Sequence, residues 1–241
     1  MRENCIICGA EIIYHNEQTE MKCDTCGKTV FSNACCKNGH FVCDECHEKG
    51  AEGTIREICL ASASKNPFKI ADEIMENPLI HMHGPEHHMI VGASLLTAYK
   101  NCVMTDDTLA AERGFRKNLD ELLRRGKQVP GGSCGFWGVC GAAVSTGIFY
   151  SIITRTTPLA GKYWPDNMKG TVASLEKIAE FSGPRCCKRT SYLSLKAAVK
   201  FTDEHFGVKM EGGDDKIVCN HFVRNKECIG QKCPFFKGEQ L

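Results

Sequence analysis

The sequence predicts a mainly α protein: a helical domain flanked by a small N-terminal zinc module and a cysteine-rich, metal-binding C-terminal tail. Three observations predict it. Residues 1–47 are dense in cysteine and histidine and poor in large apolar side chains. From about Thr54 to Phe206, apolar residues recur at helical spacing. The 17 cysteines in 241 residues fall mostly in C-x-x-C pairs or beside histidine. We divide the chain accordingly into a zinc-binding module (1–50), a helical domain with a His/Cys site (51–207) and a metal-binding tail (208–241).

The composition, 42% hydrophobic and 24% charged, is that of a chain able to build a real core. With 30 basic against 29 acidic residues there is no global attraction to nucleic acid or to an anionic membrane. The stretch Trp137–Ile153 comes closest to a membrane span but is broken by glycines and polar residues. Met1–Arg2–Glu3–Asn4 opens no signal peptide. An odd number of thiols, grouped as ligands are, fits thiolates held by metal better than disulfides, so a reducing cytoplasmic compartment and low oxygen, as in an anaerobe, are expected.

In the first module Cys5-x-x-Cys8, Cys23-x-x-Cys26, Cys36-x3-His40 and Cys43-x-x-Cys46 form four ligand pairs. Zinc takes four N/S ligands tetrahedrally, and a C-x-x-C turn sets two thiolates on one ion. Eight ligands imply two ions. Gly9 and Gly27, each directly after a pair's second cysteine, suit the tight turn of a zinc knuckle. The pairs can be used in sequence, as in a zinc ribbon, or interleaved, as in a cross-brace; Cys35 and His47 are spare.

The body follows as a run of helices. Ile55, Ile58 and Cys59, then Ile70 and Ile74, suggest two short helices ended by Pro67 and Pro78. Pro85 suits the first position of a helix running through Met89, Ala93, Leu96 and Tyr99 to Asn101. Thr105 suits the cap of a helix carrying Leu109, Phe115, Leu119 and Leu122, stopped by Gly126 and Pro130. Phe136 to Thr154 reads as one helix, apolar all round and therefore central. After a loop to Asn167, Thr171–Phe181 is amphipathic, and a last helix from about Thr190 to Phe206 stops at Gly207. Little strand signal lies outside the two cysteine-rich ends.

Three segments carry chemistry. His81-Met82-His83-Gly84-Pro85-Glu86-His87-His88 holds four of the nine histidines. His83, Glu86, His87 and His88 are the candidate acid/base or metal-binding side chains, at a helix start whose dipole lowers histidine pKa values. A solvated, histidine-rich loop is the plainer alternative. Pro130-Gly131-Gly132-Ser133-Cys134 through Cys140-Gly141-Ala142-Ala143 places two cysteines around a glycine-rich turn before a helix, where exposed amides attract anions or a cluster's sulfides; close helix packing also explains its small residues. Cys186 and Cys187 stand at another helix start among Arg185, Lys188 and Arg189, features that lower a thiol's pKa. Cys134, Cys140 and Cys186 or Cys187 supply enough thiolates for an iron–sulfur cluster, with a histidine as a further ligand. Cys59 and Cys102 are read as core residues.

The tail, Cys219-x8-Cys228-x4-Cys233-x3-Lys237, resembles the CCCH finger spacing with lysine where the histidine belongs. His221 is the candidate replacement; otherwise three cysteines hold an iron–sulfur cluster with an open site. Phe222, Phe235 and Phe236 are available to stack on RNA bases.

The run His83–His88 followed by Gly135-Phe136-Trp137-Gly138-Val139-Cys140-Gly141-Ala142 resembles an uncharacterised prokaryotic family of cysteine-rich domains, over most of the chain. That resemblance implies a metalloprotein of anaerobes, found alone or joined to S-adenosylmethionine (SAM)-dependent enzymes of radical or methyltransferase type, and implies no reaction. A looser similarity links Gly131–Ala143 to the glycine-cysteine segment of iron–sulfur serine dehydratases.

Three functions compete. A zinc and iron–sulfur metalloenzyme, a lyase or transferase, would act on a small polar or sulfur-containing substrate. An accessory module would dock onto a SAM-dependent partner. An RNA-binding protein would need a continuous basic face including Arg185, Lys188, Arg189 and Arg224. For the enzyme, the starts of the His87 helix and of the glycine-rich helix are expected to face one another across one cavity, with Cys186 and Cys187 as its third wall.

Overall fold

The architecture is described from a computed structural model, over residues 4–104 and 108–237. The chain is mainly helical, as the periodicity predicts, with a single two-stranded sheet among the described residues.

That sheet is the frame of the N-terminal module. Strands β1 (Ile12–Lys22) and β2 (Thr29–Cys36) form an antiparallel hairpin, in register from Ile12 opposite Cys36 to Lys22 opposite Thr29. The register slips between Tyr14 and Thr19. Both strands are largely solvated, and among the described residues the module's own apolar cluster is Cys23, Cys43 and Cys46 with Val30, Phe41 and Val42. So small an apolar cluster does not hold a fold without further bonds.

Helix α1 (Asp44–Ala61) leaves the module at Cys43 and enters the body, kinked at Gly50, whose φ is +58°. The expected short helix at 55–59 is thus the second half of a longer one. Pro67 starts α2 (Pro67–Glu76) rather than ending its predecessor; the Asn66 side chain caps it by accepting from the Phe68 and Lys69 amides.

The core is organised around α3 (His87–Val103), which packs against α1, α2, α4 (Leu109–Lys127), α6 (Gly141–Ile153) and α8 (Cys187–Phe206). Its first three turns are buried on every side. Small residues allow the closest of these contacts. The Gly92 amide donates to Ser145 Oγ at 2.9 Å, and a Cβ on Gly92 would lie 2.8 Å from the Ser145 carbonyl oxygen. Ile90, Leu95, Leu119, Leu122, Phe149, Tyr150 and Leu195 fill the space between the helices.

Several expectations are corrected. The expected cap Thr105 lies outside the described residues, and Thr108 caps α4 by accepting from the Ala111 amide at 3.2 Å. The segment 136–154 is not one central helix. A four-residue turn α5 (Ser133–Phe136) stops before Gly138, whose φ of +68° breaks the helical path, and α6 starts only at Gly141. Phe136 and Trp137 consequently stand 88% and 66% exposed. Helix α7 (Trp164–Ala179) begins earlier than Thr171, because Pro165 sits in its first turn instead of in a loop. Helix α8 starts at Cys187 and ends at Gly207 in the left-handed conformation. No helix among the described residues is long and apolar enough to cross a membrane.

The tail is seated on the body. The Cys219 amide donates to the Phe235 carbonyl at 2.7 Å, and Phe235 is buried edge-on against Tyr192 of α8, ring centres 5.2 Å apart.

Candidate metal centres

At the open end of the hairpin, Cys5, Cys8, Cys36 and His40 converge; at its turn end, Cys23, Cys26, Cys43 and Cys46 do the same. Pairs one and three therefore share one site and pairs two and four the other, the interleaved arrangement of a cross-brace. The spacings fit one tetrahedral ion, such as zinc, in each group. Two sulfurs on one tetrahedral zinc lie about 3.8 Å apart when each Zn–S bond is about 2.3 Å. Cys8 and Cys36 are 3.8 Å apart, as are Cys26 and Cys43. His40 Nδ1 lies 3.3 Å from Cys8 Sγ and 3.5 Å from Cys36 Sγ.

Local turns aim backbone amides at these sulfurs. The His40 amide donates to Cys36 and the Cys43 amide to Cys23, at 3.3 and 3.4 Å. The Ala10 amide, then the His40 side chain, draw the Cys8 thiol down to about 6. At Cys23 burial opposes ionisation, but the Cys43 and Cys26 amides outweigh it and bring the thiol to about 6. Gly9 and Gly27, both at positive φ, let each knuckle close back on its first cysteine, their amides donating to the Cys5 and Cys23 carbonyls. The spare residues stay outside both sites: Cys35 meets His15 Nε2 at 3.6 Å, and His47 is exposed.

In the body the starts of α3 and α6 are in direct contact, and Cys186 lines a separate pocket at the tail. Gly141 lies so close to the His88 ring that a Cβ there would overlap it. His88 Nδ1–H donates to the Val129 carbonyl at 3.0 Å. His87 is buried and donates from Nδ1 to the Gly84 carbonyl at 3.1 Å; its Nε2, a lone pair in this tautomer, is buried with no hydrogen-bond partner among the described residues. Burial, then the nearby Lys188 charge, push the His87 pKa well below the usual imidazole range, so the ring is neutral. Glu86 is buried and accepts from the His81 amide and His81 Nδ1. His83 turns to the tail, Nε2 meeting Asn225 Oδ1 at 3.1 Å, and its Nδ1 is buried without a partner.

Cys187, at the start of α8, is brought to the same place. Burial pushes its thiol up to about 11, the Gly84 amide opposes this, and the negative fields of Cys140, Cys186 and Cys134 add to it. Gly84 thus presents its amide to Cys187 and its carbonyl to His87. Cys140 is held above the usual thiol range by burial, with Thr190 opposing and Cys134 reinforcing. Cys134 itself is exposed. The expectation of low-pKa thiols at Cys186 and Cys187 is corrected: desolvation outweighs the helix start and the neighbouring cations at both.

Cys186 faces away from this group, towards the tail, where Cys219, Cys228 and Cys233 border one pocket with it. His221 is not among that pocket's lining residues; its Nδ1 accepts from the Arg224 guanidinium at 2.8 Å. Lys188 is fully buried and Arg189 nearly so, so neither contributes to an exposed basic face.

A family model for a family of unknown function, DUF5714, matches residues 55–236. The chain belongs to this family. The DUF5714 match takes in the helical body and the tail together and begins after the two zinc-type clusters. No curated protein and no solved structure matches the chain. What the residues themselves establish is a metal-binding protein: two clusters whose ligand types and spacings can hold metal ions such as zinc.

Proposed function

We propose that this DUF5714 chain is a metalloenzyme whose reaction centre is an iron–sulfur site held by Cys134, Cys140 and Cys187 beside His87. The observation that carries the reading is the buried Nε2 of His87, unpartnered among the described residues, on a ring bonded to Gly84, the residue whose amide also faces Cys187 in the field of Cys140 and Cys134. A buried acceptor without a partner costs free energy, and a metal or a bound substrate atom removes that cost. The Nδ1–H bond to the Gly84 carbonyl fixes the ring and the tautomer as the outer partner of a metal-ligating histidine does. Three thiolates leave one iron of a cubane with an open position, and the exposure of Cys134 supplies an approach from solvent for a small polar or sulfur-containing substrate. His87 is then either the fourth ligand or the base beside the open position. Glu86 is committed to His81, and His88 to Val129, so both orient the loop more than they touch substrate. Zinc in the first module braces that module and takes no part in the reaction.

The test is anaerobic reconstitution of the full chain with ferrous iron and sulfide, followed by electron paramagnetic resonance of the dithionite-reduced protein. Cys140→Ser and Cys187→Ser should each abolish one cluster signal, and His87→Ala should shift its g-values while the helical content of each variant stays unchanged. A spectrum insensitive to all three substitutions contradicts the reading.

One observation favours a second reading. Phe136 and Trp137 stand exposed on the turn that carries Cys134, as a docking edge would. An accessory role beside a partner enzyme, of the SAM-dependent class the sequence resemblance implies, would cover these rings. Cys134 would then be protected from alkylation only in the complex.

A further inference from the structure

Cys186 and Cys187 are consecutive, yet they serve different surroundings. Cys186 is the residue before α8, with extended φ and ψ of −143° and 104°, and Cys187 is the first residue inside the helix. The change of backbone conformation between them sends Cys187 towards Cys134 and Cys140, and Cys186 to the opposite side, against the tail.

On that side four thiols, from Cys186, Cys219, Cys228 and Cys233, border one pocket that Tyr192, Phe235 and other apolar side chains close off. Three of the four sulfurs already receive hydrogen bonds from N–H groups. The Arg189 amide and the Asn225 side-chain amide donate to Cys186 at 3.5 and 3.6 Å. The His221 amide donates to Cys219 and the Gly230 amide to Cys228, both at 3.4 Å. This is the pattern found at the two zinc-type clusters, where His40 and Cys43 amides point at Cys36 and Cys23. Neutral thiols packed only for their bulk do not need it; thiolates do. None of the four is in a disulfide.

The spacing separates this group from the first two. Only the two N-terminal groups, among the described residues, bring three or more ligand atoms all within 4.8 Å of one another. The tail sulfurs are spread wider than a single tetrahedral ion would hold them, at about 3.8 Å edges. An iron–sulfur core places iron and sulfide between its thiolates and so spaces them further apart.

We propose that Cys186, Cys219, Cys228 and Cys233 are the four thiolate ligands of an iron–sulfur cluster, buried between the start of α8 and the C-terminal tail. Cys186, and not His221, completes the set. The site is separate from the Cys134–Cys140–Cys187 centre proposed above and does not depend on it, although one peptide bond joins a ligand of each. Its four protein ligands leave no open position, which suits a structural or electron-carrying cluster and not a substrate-binding one. It also fixes the tail to the start of α8.

The experiment uses the full chain carrying Cys134→Ser and Cys140→Ser together, reconstituted anaerobically with ferrous iron and sulfide. It should still take up about four iron and four sulfide per chain. Adding His221→Ala should leave that uptake intact, and adding Cys186→Ser should remove it. In parallel, alkylation of the unsubstituted, anaerobically purified chain should find Cys186, Cys219, Cys228 and Cys233 protected as one set. An iron chelator should release all four together while the zinc-type cysteines stay protected. The inference is overturned if the inner-site variant binds no iron, if a zinc ion fills the site under these conditions, or if His221→Ala removes the centre and Cys186→Ser does not. Failure of the inner-site proposal alone reads differently: the inner-site variant would then take up as much iron as the unsubstituted chain.

Discussion

Cys23→Ser is expected to cost the N-terminal module both of the zinc ions proposed for it. Cys23 supplies one ligand to the site at the hairpin turn, and the same hairpin carries Cys36 of the other site at its far end. Structural zinc contributes about 10–16 kcal/mol of apparent folding free energy at neutral pH. The module's six-residue apolar cluster, half of it cysteine ligands, has nothing comparable to offer. Once the turn-end site is lost the strands separate, and the open-end ligands no longer face one another. Native mass spectrometry of the full chain should therefore fall by two zinc ions. The helical signal should stay close to that of the unsubstituted protein, because the core around α3 is built without the module. Retention of one zinc would show that the two sites fold independently and would contradict this coupling.

Lys188→Met is expected to stabilise the metal-free protein at neutral pH and to weaken the metal-loaded one. The Lys188 ammonium is wholly buried and, among the described residues, donates to the Met75 carbonyl at 3.3 Å. Burial, then the Arg224 charge, lower its pKa from 10.5 to about 8; Glu86 and the Cys187 and Cys186 thiols act in the other direction. Because the folded value lies below the unfolded one, the cost is fully present below about pH 8 and is relieved as pH rises towards 10.5. At about 1.36 kcal/mol per pKa unit this cost is roughly 3 kcal/mol. In urea melts of chelated protein, the variant should gain about 2–3 kcal/mol over the unsubstituted chain at pH 7 and progressively less by pH 10. With both thiolate centres loaded, the buried cation offsets their negative charge, and its removal should speed metal loss to a chelator. A variant that melts earlier than the unsubstituted chain at pH 7 without metal would contradict the assignment of Lys188 as a buried counter-charge.

The helical body was legible because its signals are local. Apolar periodicity and proline or glycine punctuation placed α3, α4 and α8 within a few residues. The reading failed where one glycine outweighs hydropathy, as at Gly138, and where a proline starts a helix instead of ending one, as at Pro67 and Pro165. The hairpin left little trace because β1, Ile-Ile-Tyr-His-Asn-Glu-Gln-Thr-Glu-Met-Lys, is solvated on both faces and so has no alternation to read. Ligand types in the first module follow from spacing alone, but the order in which four pairs share two ions is a tertiary fact. The same holds for Cys186 and Cys187. A dipeptide cannot reveal that a change of backbone conformation between them sends one thiol to the tail and the other to the body. The low thiol pKa values expected there failed for a related reason, since burial is not visible in neighbouring charges.

The central claim is that these cysteines are metal ligands of two kinds, zinc in the module and iron–sulfur in the body and tail. X-ray absorption at the zinc and iron edges of the anaerobically purified full chain tests it most directly. The account predicts zinc with seven sulfur and one nitrogen ligand over two ions. It also predicts iron surrounded by sulfur, with a short iron–iron distance. Zinc bound mainly to oxygen and nitrogen, or a protein with no iron–sulfur signal after anaerobic purification and reconstitution, would contradict it.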